Sequence, residues 1–500
     1  MLTAIRGRRL VEAAALIAVV ALVYARALHG PFVFDDRSAI VENASLRSLW
    51  PLGPVLAQPP DLTTSGRPLV ALSFALDHAR GGLDPQVFRI TSFALHALCA
   101  ILLAAVVRRT LEGPRLGERF GAHADAIAFA TALLFAVHPL ASEVACYASA
   151  RTESLVAAFY LATLYAAIRA RSSPRPWGWV ALAIACSALG MASKEVMVSA
   201  PLVLALYDLV FLRPPDAAQR RVRFALRTGV AATWGVLLFL VLRQPRAESA
   251  GFALWLTPLV YLANQCRVLP AYLGLVFWPS PLRLDYGLPE PLALGDVWAG
   301  LAFLVALASF SLYALWRWPA AGFIGVSCFA ILAPSSSVVP IISEVGAERR
   351  MYLPLAALLA LLVCLAWLGL ARVGRARLGP WLAGIAALAL AGASALRAGV
   401  YTDEVTLWQA DLRAAPENAR ARYNLSHALE RAGRASEARV EHAATVRAEI
   451  AFYQRILPFQ PDRAQALRDL AGLHVAAGEF ARADELYTEV LAIAPADAIA

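Results

Sequence analysis

The chain has 500 residues, of which 59% are hydrophobic and 16% charged, and its mean hydropathy is +0.59. That much apolar surface excludes an ordinary soluble enzyme and predicts a polytopic membrane protein. The formal charge of +9 does not indicate nucleic-acid binding, because the arginines cluster in short loops between apolar runs, where they set membrane orientation. The six cysteines are scattered without a C-x-x-C pair, so they predict neither a disulfide framework nor a metal site.

The first apolar run follows three arginines, reaches nearly full spanning length and lacks a small-x-small cleavage site. It predicts a retained first helix with a cytoplasmic amino terminus. Apolar runs of roughly 16 to 21 residues then recur along the chain. The eleven predicted spans lie near 10–28, 88–108, 124–140, 153–170, 177–192, 196–212, 225–243, 297–317, 319–334, 353–371 and 380–398. With this count, every arginine cluster that follows an even-numbered span falls in the cytoplasm.

The segment 257–278 is apolar but contains Asn264, Gln265, Arg267 and Pro270. If it crossed the membrane, the arginines at 372–377 would lie outside. We therefore expect it to be re-entrant or to lie at the outer surface. The odd number of spans then places the carboxyl-terminal hundred residues outside the cytoplasm.

The composition changes after Ala398, where apolar runs give way to a charged, alanine-rich helical pattern. Two units align at an offset of 45 residues: Leu425, Gly433 and Ala438 match Leu470, Gly478 and Ala483. This pattern predicts tetratricopeptide repeats with helices longer than usual, and the alternative is a generic helical hairpin tail. The predicted domains are a membrane domain, 1–398, with a first external loop over 30–87, and an extracytoplasmic repeat domain, 399–500.

Asp35 and Asp36 directly follow the first span. They have two interpretations: an N-cap or Asx turn that ends the span, or a catalytic base that takes a proton from an acceptor hydroxyl beside a lipid-borne donor. Charged groups at a membrane surface are costly, so a chain this apolar needs a reason to keep the pair there.

Two basic motifs are also costly in this context. Lys194, the only lysine of the chain, lies in a very short turn, either as a structural pair with a glutamate or as a ligand for a lipid phosphate. Arg349 and Arg350 break the positive-inside pattern, so they need an anion, which is either Glu344 and Glu348 or the phosphate of a substrate. No histidine or cysteine pair has metal spacing and no nucleotide-binding glycine loop is present, so neither a metal nor a nucleotide donor is implied. A divalent ion stays open.

Several motifs together resemble the transmembrane and tetratricopeptide repeat-containing family of protein O-mannosyltransferases. The membrane part of that family is similar to the GT-C class of polyprenyl-phosphate-sugar transferases. The matching segments are Phe34-Asp35-Asp36, Arg67-Pro68-Leu69, His138-Pro139-Leu140 with Glu143, Ala150-Arg151-Thr152-Glu153, Ser193-Lys194-Glu195, Leu284-Asp285-Tyr286, Glu348-Arg349-Arg350-Met351-Tyr352 and the lead from Trp408 to Leu425. The resemblance keeps this order over nearly the whole chain, although the repeat array is short.

The resemblance implies an all-α, GT-C-like bundle that transfers a sugar, mannose in the family, from a polyprenyl-phosphate carrier to Ser/Thr hydroxyls of extracytoplasmic proteins with inversion. Asp35 would be the base and Asp36 would orient the acceptor or the loop. The phosphate ligands would be Lys194, Arg349 and Arg350, with Arg67 and Arg151 as further candidates. The supporting residues would be His138, Glu143, Glu153, Glu195, Glu348, Tyr352, Asp285 and Tyr286. The donor is a substrate, so no cofactor is expected.

The expected partners are the lipid-linked donor, membrane lipid and an acceptor polypeptide held by the repeats, without nucleic acid. The composition predicts a bacterial member in the inner membrane, with periplasmic repeats. Two other functions stay open: a noncatalytic scaffold that recruits envelope proteins, and a flippase of lipid-linked sugars. The charges cluster at one face instead of along a path through the bilayer, which argues against the flippase. The sugar, the carrier length, the acceptor and the oligomeric state are left open.

Overall fold

The computed structural model describes residues 2–60, 62–243, 256–337 and 339–495, with side chains from Gly7 onward. The fold is all-helical, as the sequence predicts. The longer helices are α1 (Leu2–Tyr24), α2 (Pro68–Gly81), α3 (Pro85–Leu111), α4 (Ala124–Ala136), α5 (Arg151–Ser172), α6 (Pro176–Met191), α7 (Ala200–Phe211), α8 (Ala217–Ala232), α9 (Trp234–Arg243), α10 (Pro258–Phe277), α11 (Leu294–Arg317), α12 (Pro319–Leu332), α13 (Tyr352–Arg372), α14 (Gly379–Val400), α15 (Glu404–Ala414), α16 (Ala419–Arg431), α17 (Ala435–Ile456), α18 (Arg463–Ala476) and α19 (Phe480–Ile493). Shorter α-helices cover Gly53–Leu56, Gly117–Phe120 and Ser142–Cys146, and a π-helical turn covers Arg37–Val41.

Eight helices of the described residues are long and apolar enough to cross a membrane, or nine if the bent pair Gly117–Ala136 and Pro139–Cys146 forms one span. The protein is therefore an integral membrane protein. Length alone gives fewer spans than the eleven predicted, because α6, α7 and α12 have only 16, 12 and 14 residues.

Buried ion pairs mark two ends of the helix bundle. Helix α5 carries Glu153 in its first turn and Arg171 in its last, 18 residues or about 27 Å apart. This separation approaches the roughly 30 Å thickness of a hydrocarbon core. We name the two ends by their residues. The Arg108 end contains Arg108 paired with Glu12 and Asp125, and Arg171 paired with Asp208; the Asp35 end contains Asp35, Glu143, Glu153, Lys194 and Arg349.

The shorter helices connect the same two ends. The segment that includes α7 begins at Lys194, paired with Glu153, and reaches Asp208, paired with Arg171, so it runs beside α5 from one end to the other. Helix α6 begins near Arg169, whose guanidinium lies 4.6 Å from the ring of Trp179, and ends just before Lys194. Helix α12 packs Phe323 against Tyr207 and ends close to Ser335, whose carbonyl accepts a hydrogen bond from Arg350. These three helices therefore also extend between the two ends, although they are too short to count among the eight or nine candidate spans.

Helix α10 is the long helix that does not follow this pattern. Its residues bond to the Asp35 end from the first turn to the last: Tyr261 with Arg350 (3.0 Å), Gln265 with the carbonyl of Val345 (2.9 Å) and the carbonyl of Val276 with His138 (3.1 Å). Although α10 is long and apolar enough to cross, these contacts place it across the Asp35 end. They agree with the expectation that 257–278 is re-entrant or lies at the outer surface, which stays a prediction.

Of the carboxyl-terminal helices α15–α19, α15 and α16 contact the Asp35 end through Trp408 and Arg420. Gly433 and Gly478 have φ of +75° and +77° and form the turns between α16 and α17 and between α18 and α19, as the repeat pattern predicts. The small residues Ala438 and Ala483 are buried in the helix pairs. Helix α17 has 22 residues, so its pair is longer than a standard repeat. The assignment as tetratricopeptide repeats stays a prediction, and residues 496–500 of the predicted domain lie outside the described range.

Candidate active site

A strained turn positions the acid pair. Phe34 has φ of +49° and is the only non-glycine residue with positive φ in the described part of the chain. An aromatic residue pays for this backbone conformation with about 1–2 kcal/mol, so the surroundings must hold it. The ring of Phe34 contacts Tyr147 and Trp408, with centroids 6.4 Å and 5.5 Å away. The π-helical turn Arg37–Val41 follows directly, and such turns are frequent at functional sites.

Asp36 points into the protein and anchors the turn. Its carboxylate accepts hydrogen bonds from the backbone N–H of Ser149 (2.7 Å), the hydroxyl of Ser149 (2.6 Å) and the N–H of Val33 (3.2 Å). The side chain is fully buried, and burial raises the pKa of Asp36 to about 6 although these bonds favour the charged form. Asp36 therefore has a structural role, but through Ser149 and Val33 and not as the N-cap or Asx turn that was the structural interpretation of the pair.

Asp35 points elsewhere and stays partly exposed. Its backbone N–H donates to the hydroxyl of Tyr147 (3.2 Å), which also contacts the Asp35 carboxylate. Burial raises the pKa of Asp35 above its ordinary value of 3.8, while the nearby charges of Arg349 and Arg420 oppose that shift. A partly exposed carboxylate with a raised pKa has the properties of a general base.

Arg349 joins the acid pair to the rest of the site. Its guanidinium donates to Glu143 (2.6 Å) and to both carboxylate oxygens of Glu344 (2.8 Å each), and its backbone N–H donates to Glu143 (2.9 Å). The guanidinium carbon also lies 6.0 Å from the ring of Tyr147. The predicted partner of this arginine was either a nearby glutamate or the phosphate of a substrate. The structure shows the glutamate Glu344 and a further partner, Glu143, that was not predicted as one.

Lys194 and Arg67 complete a cationic cluster with Arg349. Lys194 pairs with Glu153, and Arg67 pairs with Glu195 at 3.1 Å. Burial lowers the pKa of Lys194, and the like charges of Arg67 and Arg349 lower it further against the pull of Glu153. Each of the three cations therefore has a carboxylate partner, and Arg67 and Arg349 lie close enough to Lys194 for their charges to affect its pKa.

Two candidate phosphate ligands do not face this cluster. Arg151 is fully buried, pairs with Asp77 at 2.6 Å, and stacks on Phe74 with 4.7 Å between the guanidinium carbon and the ring. Arg350 donates to Tyr261 and to the carbonyl of Ser335 at 3.0 and 2.9 Å. The side chains of Arg151 and Arg350 are only 0% and 3% exposed, so both arginines stabilise the fold here and are not accessible from the site.

The other predicted supporting residues do not pair with the three cations. Glu348 accepts from the backbone N–H of Arg283 (2.7 Å) and from Tyr286 (3.3 Å), so it does not pair with Arg349 or Arg350 as expected. The remaining supporting residues act inside the fold: Asp285 pairs with Arg420, His138 accepts from the N–H of Leu140 at 3.2 Å in the bend of the bent pair, and Tyr352 bonds to His96 at 2.6 Å.

Sequence reasoning missed the residues that the carboxyl-terminal helices contribute. Trp408 packs on Phe34, and the guanidinium of Arg420 lies 5.5 Å from the same ring. Asp411 accepts from the N–H groups of Leu284 and Asp285 (2.9 and 2.8 Å). Trp408, Asp411 and Arg420 all lie in the segment from Trp408 to Leu425 that resembles the family. This resemblance was the feature of the sequence that could have identified them.

Comparisons with known proteins agree with these motifs. Protein O-mannosyl-transferase Tmtc1 of Drosophila melanogaster is 28% identical over 333 residues, 59% of this chain and 37% of that protein. Protein O-mannosyl-transferase TMTC4 of Mus musculus is 32% identical over 222 residues, 40% of this chain and 30% of that protein. Protein O-mannosyl-transferase TMTC3 of Mus musculus is 26% identical over 468 residues, 84% of this chain and 49% of that protein.

The chain is homologous to the TMTC family of protein O-mannosyl-transferases. It spans less than half the length of these three TMTC relatives. No family model matches the chain. No solved structure matches it either, so the similarity of its membrane part to the GT-C class stays a prediction.

Proposed function

We propose that the protein is a membrane O-glycosyltransferase that moves a sugar, mannose by analogy with its relatives, from a polyprenyl-phosphate carrier to Ser/Thr hydroxyls of extracytoplasmic proteins. The names of the relatives support the transferase class. In this proposal the Asp35 end faces away from the cytoplasm, in keeping with the arginine clusters, and the lipid-linked sugar needs no further cofactor.

Asp35 is the proposed base. Inverting transfer needs a base only on the acceptor side, because the phosphate leaves as an anion without a dedicated acid. The carboxylate of Asp36 already accepts hydrogen bonds from Ser149 and Val33. The partly exposed Asp35 is therefore the residue of the pair that can receive the proton of the acceptor hydroxyl.

Lys194, Arg67 and Arg349 are the proposed ligands of the donor phosphate. Each already has a carboxylate partner, so the leaving phosphate would enter a set of cations whose positions are fixed in advance. This arrangement stabilises the charge that develops on the phosphate without reorganisation of the side chains. Arg151 and Arg350 are left out of this set because their side chains are 0% and 3% exposed, whereas those of Lys194, Arg67 and Arg349 are 10% to 15% exposed.

The observation that carries the proposal is the meeting of an acid and three cations at one end of a membrane bundle. Asp35 lies close enough to Arg349 for its charge to affect the carboxyl pKa, and Arg349 affects Lys194 in the same way. A noncatalytic scaffold needs no such convergence.

Transfer of radiolabelled mannose from polyprenyl-phosphate mannose in membranes tests the proposal. Asp35→Asn should abolish most transfer. Asp84→Asn is the matched control, since Asp84 is in the same external loop and caps α3, a role that asparagine also fills. If the wild type and Asp35→Asn transfer equally, Asp35 is not the base. If deletion of 400–500 removes biological function while Asp35→Asn leaves it intact, the scaffold function is favoured.

A further inference from the structure

A groove lies between the membrane domain and the carboxyl-terminal helices. Its volume is about 940 Å³, and it opens between α10 with the segment 283–292 on one side and the segment 415–423 with α17 on the other. Cavities that bind ligands are frequent at domain boundaries, because two surfaces can contribute different chemistry.

The wall formed by the membrane domain is cationic. Arg267 of α10 is exposed, and Arg283 lies with its guanidinium carbon 4.3 Å from the ring of Tyr286. Neither guanidinium forms an ion pair with any residue of the described ranges. Two arginines without carboxylate partners, facing an open groove, can bind carboxylates from outside.

The opposite wall is aromatic and carries two acids, and its two arginines, Arg420 and Arg455, already pair with Asp285 and Glu290. Tyr423 is 45% exposed, Phe452 and Tyr453 are partly exposed, and Glu417 and Glu449 lie on this side. Aromatic rings offer a large contact area with few rotatable bonds, which favours binding of irregular polypeptide. The two acids also disfavour a second carboxylate on this side, so an anionic ligand would face Arg267 and Arg283.

One residue of the groove, Arg420, lies near the acid pair. Arg420 lines the groove, pairs with Asp285, and lies over the ring of Phe34, the residue before Asp35. Arg455 and Glu290, which also line the groove, pair at 2.9 Å. Arg420 therefore connects the groove to the turn that carries the proposed base.

We propose that this groove binds an extended segment of the acceptor polypeptide, whose carboxylates pair with Arg267 and Arg283 while its Ser/Thr residue reaches Asp35. The inference rests on the proposed function and names its acceptor class: polypeptides with acidic residues near the modified hydroxyl. The isoprenoid tail of the donor does not fit here, since the groove would set an apolar chain against two unpaired guanidinium groups.

Binding without the donor tests the groove separately from catalysis. The full chain in detergent micelles is titrated separately into each of two fluorescein-labelled peptides of equal length. One peptide alternates Ser/Thr with Glu, and the other alternates Ser/Thr with Lys. Fluorescence anisotropy should give the wild type a preference of about tenfold for the Glu peptide. Arg267→Glu combined with Arg283→Glu should reverse the preference, which a folding defect cannot do. Arg267→Gln combined with Arg283→Gln should remove it without reversal.

Arg439→Glu is the matched control, since Arg439 is an exposed arginine of α17 that does not line the groove. Equal binding of the Glu peptide by the wild type and both double variants would overturn the proposal. Full displacement of that peptide by millimolar inorganic phosphate would also overturn it, because the groove would then be a simple anion site. Charge-selective binding by a wild type that transfers no sugar would support the groove and contradict the proposed function.

Discussion

The two ends of the bundle use the same charged side chains differently. At the Arg108 end, Asp208 is shared by Arg171 and Arg227, and Arg108 is shared by Glu12 and Asp125. Each buried charge there has an opposite charge beside it. At the Asp35 end, the Asp35 carboxylate contacts the Tyr147 hydroxyl, and no arginine among the described residues is bonded to it.

This difference separates structural ions from candidate catalytic ones. A network that neutralises itself holds helices together and gains nothing from an outside ligand. At the Asp35 end the cations also have carboxylate partners, but Asp35 itself is partly exposed and forms no ion pair with a described residue. Such groups cluster at active sites, because binding the substrate completes their interactions.

The largest expected effect distinguishes the two ends directly. Asp35→Asn should lower the rate of mannose transfer by about 10²–10⁴-fold, the usual contribution of a general base, and should leave the thermal unfolding temperature near that of the wild type. Asp208→Asn should do the reverse, because it leaves Arg171 and Arg227 without a buried anion but touches no part of the site. Transfer per folded molecule and the unfolding temperature are measured for both. Loss of transfer without loss of stability in Asp208→Asn would break the comparison.

Arg349→Lys should lower the rate of transfer by about a hundredfold. Lysine keeps the charge but cannot bridge Glu143 and Glu344 at once, as the guanidinium does. The kcat of the variant should fall more than its KM for the donor rises. Arg227→Lys at the Arg108 end, where the arginine is half-exposed, is the control and should transfer normally. Normal kcat in Arg349→Lys would remove Arg349 from the phosphate ligands.

Transfer should also fall on acidification, by about tenfold for each pH unit below the pKa of the base. Burial raises the pKa of Asp35 above 3.8, so the loss begins at a higher pH than for an ordinary aspartate. Protonation of Asp36 would not unfold the protein, so it does not explain such a loss of transfer. Its folded pKa of about 6 means that the folded state binds the proton more tightly, so its contribution to stability grows as the pH falls from about 6 towards 3.8. A pH–rate profile measured together with circular dichroism separates loss of activity from unfolding. A transfer rate that does not change down to pH 4 would contradict Asp35 as the base.

The smallest effect concerns the cover of the Asp35 end. Asp411→Ala leaves the N–H groups of Leu284 and Asp285 without their acceptor, which should lower the free energy of unfolding by about 1–3 kcal/mol. Transfer should fall only a few-fold, because Asp411 does not touch the site. Denaturant unfolding and the transfer assay measure the two quantities. A hundredfold loss of transfer at unchanged stability would instead place Asp411 in the reaction.

The sequence predicts the depth of a residue better than the direction of its side chain. Apolar runs place Asp35, Lys194 and Arg349 at one end, and the structure brings them together. The same runs place Arg151 and Arg350 at that depth, but which side of a helix they face depends on packing against Asp77 and Tyr261. Helix length misleads as well: α7 connects both ends with 12 residues, whereas α10 has 20 and lies across one end.

Contacts between distant parts of the chain were beyond sequence reasoning. Arg420 and Trp408 meet Phe34 only because the carboxyl-terminal helices fold back on the first external loop. No periodicity in either segment encodes that docking, which depends on the pairing of Arg37 with Glu404 and of Arg420 with Asp285. The repeat pattern predicted the helix pairs and their glycine turns without showing what they cover.

The cover that Trp408 and Arg420 form over Phe34 bears on when an acceptor is modified. A hydroxyl must come within about 3 Å of the Asp35 carboxylate, beneath this cover. A serine on the surface of a folded domain is surrounded by its own neighbours, which obstruct its approach to this carboxylate. Newly exported chains, still loose, meet no such obstacle, so we expect the unfolded form of an acceptor to receive sugar faster than its native form; equal rates for both forms would contradict this timing.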